Sequence, residues 1–455
     1  MITVNPRPSG LYYLYAAVAG HAFAWYCLYS LFTLWFTKHF GQAVAQQHYG
    51  NLGLAAYTLP LLGGAIAART SPRLVAIVGG VVAMLGYCAV ALTAHRITCL
   101  TVAALGAVVL GCGLVKPNLS AMVGRLFPSG SEYAVAAFAT YYSCINGGSF
   151  GSPLVGGWVA EHVSYGAAFA CAVIGELVVV GALLLGRDAL AVVETPSSLA
   201  ALIGPVKTDD ATQPQLPKLN SPLAADHIGH APDVDANKRA KLIALWVFFG
   251  LATFAFWPAY AQNGSGLTLW ASEHTDRVVL GYNVPAPWFG TINSIICILC
   301  AVPLTRLFAR LPLSVSTIVG YVLMAASFGT LLAAPTIASH PSWLASAIVL
   351  SSLSEVLIST VGLAQVAKLA PRNQISLYMS IWLLTVAIGA KVAGMVGSRL
   401  PLRGSFAVLL GLTLIASGAT LLLRRRLDVA TALAVLPAIP RPTKPATDGV
   451  PQHAT

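Results

Sequence analysis

Charge is what this sequence has least of. Its 455 residues include 26 Lys and Arg and 15 Asp and Glu, 9% of the chain, where a soluble domain carries about a quarter. So few ionic side chains cannot cover a water-soluble body of this size, which excludes a soluble enzyme and a nucleic-acid-binding protein. Cysteine is too scattered to staple a fold: residues 27, 88, 99, 112, 144, 171, 297 and 300 all fall inside apolar runs and read as small buried side chains. The one C-x-x-C, Cys297 and Cys300, fits within one helical turn and has no second pair to complete a metal site. Catalytic motifs are lacking too: there is no nucleophile–base pair, no two-histidine metal spacing and no phosphate-binding glycine loop. Neither an enzyme nor a cofactor is expected.

What the chain does have is apolar length, with 57% of residues in the AVILMFWYC set. A helix needs about 20 residues to cross a bilayer. Runs of that kind occur at roughly 11–37, 49–68, 74–94, 97–124, 133–160, 166–186, 242–262, 287–305, 312–334, 343–367, 375–398 and 404–423, which predicts an all-α polytopic membrane protein of twelve spans. Residues 189–240 break the series, with Pro205, Pro214, Pro217, Pro222 and Pro232 among polar residues and no spanning run. They read as a linker. The expected organisation is an N-terminal segment 1–10, a first six-helix bundle 11–188, the linker 189–240, a second bundle 241–426 and a disordered tail 427–455. The first span has no small-x-small processing site and reads as an uncleaved helix.

Twelve spans put both termini on one side of the membrane. If that side is the cytoplasm, 19 of the 26 Lys and Arg lie inside and only Lys38, Arg96, Arg277, Arg399 and Arg403 lie outside, with Lys116 and Lys391 within spans. This is the positive-inside bias. It accounts for the net charge of +11 without any nucleic-acid partner and places the protein in the inner membrane with cytoplasmic termini. A faint repeat supports two related halves: Pro60-Leu61, Ala68-Arg69 and Ile77-Val78-Gly79 echo Pro303-Leu304, Ala309-Arg310 and Ile318-Val319-Gly320.

Four lysines and glutamates lie inside spans, where an isolated charge costs at least about 2.5–3.5 kcal/mol. Lys116 sits beside Pro117 in a glycine-rich stretch, and Glu355 follows a run of serines. Such surroundings mark an opened helix lining a cavity. Glu176 and Lys391 have apolar neighbours and read equally as interhelical glue. One cation and one anion from different halves suit a zwitterion, with Asn146 and Asn293 either bonding to what lies between or packing helices together.

Specific motifs then appear. Tyr49-Gly50, Tyr57 to Gly64, Gly111 to Gly124 with Lys116-Pro117-Asn118-Leu119-Ser120, and Tyr141 to Phe150 with Ile145-Asn146-Gly147-Gly148-Ser149 resemble the proton-dependent oligopeptide transporter family, a branch of the major facilitator superfamily. The likeness continues in Phe256-Trp257, Gln262 to Leu269, Thr275-Asp276-Arg277, Pro285 to Phe289, Asn293, Glu355, Val361-Gly362-Leu363 and Lys368 to Pro371, so it covers nearly all of 11–425. The resemblance implies a major facilitator fold of two six-helix bundles that imports di- and tripeptides with protons by alternating access. It further implies that Lys116 holds the substrate carboxylate and that Asn146, Asn293 and Glu355 hold its amino group. Tyr26, Tyr57 and Trp382 would line side-chain pockets, and Glu355 would also serve proton coupling. A small peptide, protons and the lipid bilayer are the expected partners, and a monomer the expected state.

The chain departs from the family at the first-span signature E-x-x-E-R-F-x-Y-Y, which here falls on Val18, His21, Ala22, Phe23, Trp25 and Tyr26. Both acids and the arginine are gone, as is the seventh-span acid, replaced by Ala261. His21 stands at a lost acid; an imidazole titrates near neutral pH, so it reads either as a proton carrier or as a neutral histidine bonded to a neighbouring helix. Lys391 is a candidate replacement for the lost positive charge. Two further functions stay open: an efflux or facilitative carrier for a peptide-like or amine metabolite, and a non-transporting sensor.

Overall fold

The computed structural model describes residues 8–127, 131–193, 234–308 and 311–360, the single positions 362, 366, 369 and 370, and residues 375–435. The first half is six helices: α1 (Gly10–Phe40), α2 (Gln42–Ala67), α3 (Pro72–Thr93), α4 (Cys99–Arg125), α5 (Glu132–His162) and α6 (Tyr165–Leu185). Local chemistry sets several starts. The Ser71 hydroxyl accepts from the Leu74 N–H at the head of α3, Ser164 accepts from Ala167 at α6, and Thr98 with Thr101 forms a reciprocal capping box at α4. Helix α1 packs on α5 and α6, and α3 packs on α4 and α6.

The second half is less regular. Its first span runs through α7 (Val234–Leu251), a π-helical turn (Ala252–Phe256), α8 (Trp257–Tyr260), a 3-10 turn (Ala261–Gly264) and α9 (Gly266–Glu273). A short hairpin, β1 (Val278–Val279) with β2 (Tyr282–Asn283), and a 3-10 turn (Ala286–Gly290) lead into α10 (Thr291–Phe308). Helices α11 (Leu313–Ala333) and α12 (Pro341–Glu355) follow, then a second π-helical turn (Val356–Thr360), α13 (Ile375–Arg399), α14 (Leu402–Leu422) and α15 (Arg424–Val435).

Eleven helices among the described residues are long and apolar enough to cross a membrane. The twelfth expected span, α5, has 31 residues, ample length at about 1.5 Å per residue, but Ser143, Asn146, Ser149 and Ser152 lower its apolarity. That polarity belongs to the seam between the halves. There α2 packs along α13, α5 against α10, and α1 against α9.

Two boundaries differ from those expected. Residues 427–435 are helical rather than disordered, because Leu427 is buried against Ala244 and the Asp428 carboxylate accepts from the Ser314 N–H (3.2 Å) and hydroxyl (2.8 Å). The linker is also shorter at both ends: Leu190 and Val193 are buried against the first bundle, and α7 begins at Val234. The rest of the linker, 194–233, and residues 436–455 lie outside the described residues.

Candidate functional site

The second half builds its charged cluster where the helix ladder changes. Glu355 is the last residue of α12, directly before the π-helical turn, a geometry that often marks functional positions. Its carboxylate accepts from the Asn293 amide at 2.7 Å and from the Cys297 thiol at 3.5 Å. Asn293 also donates to the Ser352 hydroxyl at 3.0 Å. Asn293 and Cys297 are four residues apart on α10 and so share one face. Among the described residues the cluster has an anion, an amide and a thiol but no cation, so it can accept an ammonium group.

The first half supplies the cation. Lys116 is half-buried on α4, with its ammonium 4.5 Å from the Trp25 ring centroid and 5.6 Å from that of Tyr57. Both rings lie within cation–π range. Among the described residues no carboxylate lies within ion-pair distance of it. Pro117, inside α4, cannot donate to the carbonyl four residues earlier, that of Gly113. Gly113 itself must stay small, since a Cβ there would sit 2.6 Å from Leu59 Cβ on α2. This tight α2–α4 packing brings Tyr57 to Lys116.

Between the halves lies a cavity of about 90 Å³ lined by Tyr26, Tyr29 and Tyr49 from one side and Tyr260, Asn263 and Asn293 from the other. Asn293 thus belongs to both the cavity wall and the Glu355 cluster. The irregular backbone at Ala261–Gly264 faces this space, as exposed peptide groups must when they lie at membrane depth. Hydrogen bonds close the cavity at the end where α1 finishes and α2 begins. Thr33 donates to the Gly264 carbonyl (3.0 Å), Gln46 to that of Gly397 (3.0 Å), and Trp288 to that of Leu154 (3.0 Å), while the Ser149 and Ser294 hydroxyls meet at 2.9 Å. Arg277 donates to Glu161 at 2.5 Å, and Gln42 bonds Glu273.

The other expected site residues are placed differently. Asn146 donates to the Tyr142 carbonyl on its own helix (3.0 Å). Trp382 is buried in the second bundle, stacked on Phe248 at 5.3 Å and edge-on to Trp257 at 5.5 Å. Lys391 bonds the Asn51 amide oxygen across the α2–α13 seam, away from the Lys116 cluster. His21 does not line the cavity: its Nδ1 lies 2.8 Å from Glu176 Oε1, with the two side chains 3% and 0% exposed. The donor atoms of His21, Cys112 and Glu176 all lie within 4.8 Å of one another. The imidazole and carboxylate bond each other directly, which makes the trio a hydrogen-bonded pair beside a thiol. Sequence reasoning does not find this pairing or the roles of Trp25 and Cys297. Their helical spacing, Trp25 four residues after His21 and Cys297 four after Asn293, is the one signal that points to them. Val361, Leu363, Lys368 and Pro371 lie outside the described residues.

Two bundles meeting around a polar cavity, with ionisable groups at membrane depth in each, define a polytopic transporter of the major facilitator fold. The fold is matched by a POT-family peptide transporter solved with sulfate, at a TM-score of 0.79 and 20% identity over 93% of this chain and 96% of that one. A POT family transporter solved with 5-aminolevulinic acid gives 0.78 and 18% over 92% and 97%. The family model described as POT family matches residues 73–198 and 227–400, and the chain belongs to that family. Among its relatives, the peptide transporter YePEPT of Yersinia enterocolitica is 28% identical over 375 residues, 70% of this chain and 72% of that protein. Dipeptide and tripeptide permease A of Chromobacterium violaceum is 26% identical over 429 residues, 86% of each. Family and relatives are transporters, not enzymes.

Proposed function

We propose that this protein imports di- and tripeptides or peptide-like zwitterions across the inner membrane together with protons, by alternating access of its two bundles. The observation that carries this reading is the placement of two charges: Lys116 on α4, with no carboxylate within ion-pair distance among the described residues, and Glu355 on α12, bonded to Asn293. A peptide spanning the seam would set its carboxylate toward Lys116 and its ammonium toward Glu355. Each end then replaces lost hydration with an opposite charge, which the low-dielectric interior strengthens. Tyr26 and Tyr57 would flank the chain between them. With cytoplasmic termini, the hydrogen-bonded closure at the far end of α1 would be the outer gate of that cycle. Glu355 is the proposed proton carrier of the second half, and His21 belongs to a separate buried pair in the first.

One observation favours a second reading, a facilitative carrier or exporter of a related metabolite. Val18 and His21 stand where the family has acids and Ala22 where it has arginine, so a peptide carboxylate meets a single cation without bidentate geometry. Proteoliposome uptake of a labelled dipeptide, with and without an inward proton gradient, separates the two. Gradient-stimulated accumulation is expected. Equal uptake under both conditions removes proton symport, and no peptide uptake at all removes the peptide reading.

A further inference from the structure

The second bundle carries a basic patch that the proposed transport cycle does not use. Helix α14 is long and apolar enough to cross a membrane and ends at Leu422, and α15 begins at Arg424. Arg424-Arg425-Arg426 therefore follow the end of the span within about one turn, the level at which hydrocarbon gives way to headgroups. All three are exposed. Arg424 is drawn toward Asp428, its Nε 3.7 Å from Oδ2. Among the described residues neither Arg425 nor Arg426 has an ion-pair partner. The helix is held by its other side, where Leu427 is buried against Ala244 of α7 and Asp428 accepts from Ser314 at the head of α11. With that side fixed, Arg425 and Arg426 turn outward with Val429, which lies four and three residues further on and is also exposed.

Helix α7, packed on α15 through that same Leu427 contact, carries a matching stripe. Arg239, Ile243 and Trp246 recur at intervals of four and three residues, one face of a helix, and all are exposed, Ile243 at 64% and Trp246 at 53%. Arg239 opens the apolar span that continues to Glu273, so Ile243 and Trp246 lie one and two turns deeper in the membrane. Tryptophan favours the boundary between headgroups and hydrocarbon. On the neighbouring helix, the exposed Leu421 and Leu422 end α14 just before the arginines of α15. Two helices in contact thus each offer guanidinium at the membrane edge beside bulky apolar side chains. A small soluble anion would use the charges and leave the apolar surface idle. A phospholipid with a net negative headgroup uses both.

We propose that α7 and α15 form a binding site for an anionic phospholipid, its phosphate held by Arg239, Arg425 and Arg426 and its acyl chains lying along Ile243 and Trp246. Arginine suits this role because its planar guanidinium meets phosphate oxygens two at a time, and basic clusters beside a span are attracted to anionic headgroups. The bound lipid braces α15 against the first span of the second bundle. The site is independent of what the protein transports.

The test adds dioleoyl phosphatidylglycerol or dioleoyl phosphatidylcholine, in equal amounts, to the full-length protein purified in detergent and reads retained lipid by native mass spectrometry. Because the acyl chains are identical, the excess of phosphatidylglycerol reports the headgroup charge. The wild type is expected to retain it about fivefold or more over phosphatidylcholine, the preference that even one basic residue near an anionic surface confers. Replacing Arg239, Arg425 and Arg426 together by Gln should bring the ratio close to one. Replacing Arg69, Arg187 and Arg306 by Gln removes the same charge from exposed positions near the ends of α2, α6 and α10 and should leave the ratio unchanged. Both variants alter exposed side chains only, so neither disturbs the core. Equal retention of the two lipids by the wild type overturns the proposal, as does an equal loss in the two variants, which would mark diffuse surface charge. Suppression of the excess by inorganic phosphate at the lipid's own concentration overturns it as well, since the occupant would then be a free anion.

Discussion

The two intramembrane acids of this protein sit in opposite kinds of surroundings. Glu176 lies within a regular helix, wholly buried, fixed to His21 where α1 and α6 touch through their glycines. Glu355 ends a helix at a π-helical turn, is half-buried, and is held by the neutral Asn293 amide and the Cys297 thiol. A buried carboxylate paired with an imidazole is part of the architecture, because removing one partner strands the other. A carboxylate bonded only to neutral groups beside a cavity keeps its charge available to a ligand. Backbone irregularity, more than burial, separates the two roles.

Substitutions can break this contrast. The largest effect is expected on stability from Glu176→Ala, which strands His21 and should destabilise the protein by about 3–5 kcal/mol, read as thermal unfolding in detergent. A variant as stable as wild type would show that the pair holds nothing together. Next, Glu355→Gln keeps an acceptor for Asn293 and should leave unfolding nearly unchanged. It removes the charge-assisted contact to a substrate ammonium, worth about 1.5–3 kcal/mol, so dipeptide uptake should fall by about tenfold or more. Undiminished uptake would sink the amino-end assignment. The smallest effect should come from Arg277→Ala. Its bond to Glu161 joins the halves but is partly exposed, at 20% and 30%, so its loss should cost less than about 1 kcal/mol and leave dipeptide affinity unaltered. A large loss of binding there would move the site's energetics out to the closed end of the seam.

Much of the site is legible in the amino-acid sequence. Lys116 and Glu355 stand out because charges are rare in spans and theirs adjoin proline or polar residues, and Asn293 follows from the family motif. Asn146 and Trp382 show the limits of such patterns. Both match the family, yet Asn146 spends its amide on the Tyr142 carbonyl and Trp382 stacks on Phe248. Rotamer and helix rotation decide such contacts, and neither is written in a linear pattern. Lys391 has the right charge but bonds Asn51, because α13 packs along α2 at that depth.

Composition, span length and the bias of basic residues toward one side determine by themselves that this chain is a helical membrane protein in two halves, since those quantities answer directly to the bilayer. The tertiary structure decides which charges face each other. His21 and Glu176 are 155 residues apart, and Asn293 and Glu355 are 62 apart. Nothing in local sequence joins such positions; only the way α1 packs on α6, and α10 on α12, brings each pair within a hydrogen bond.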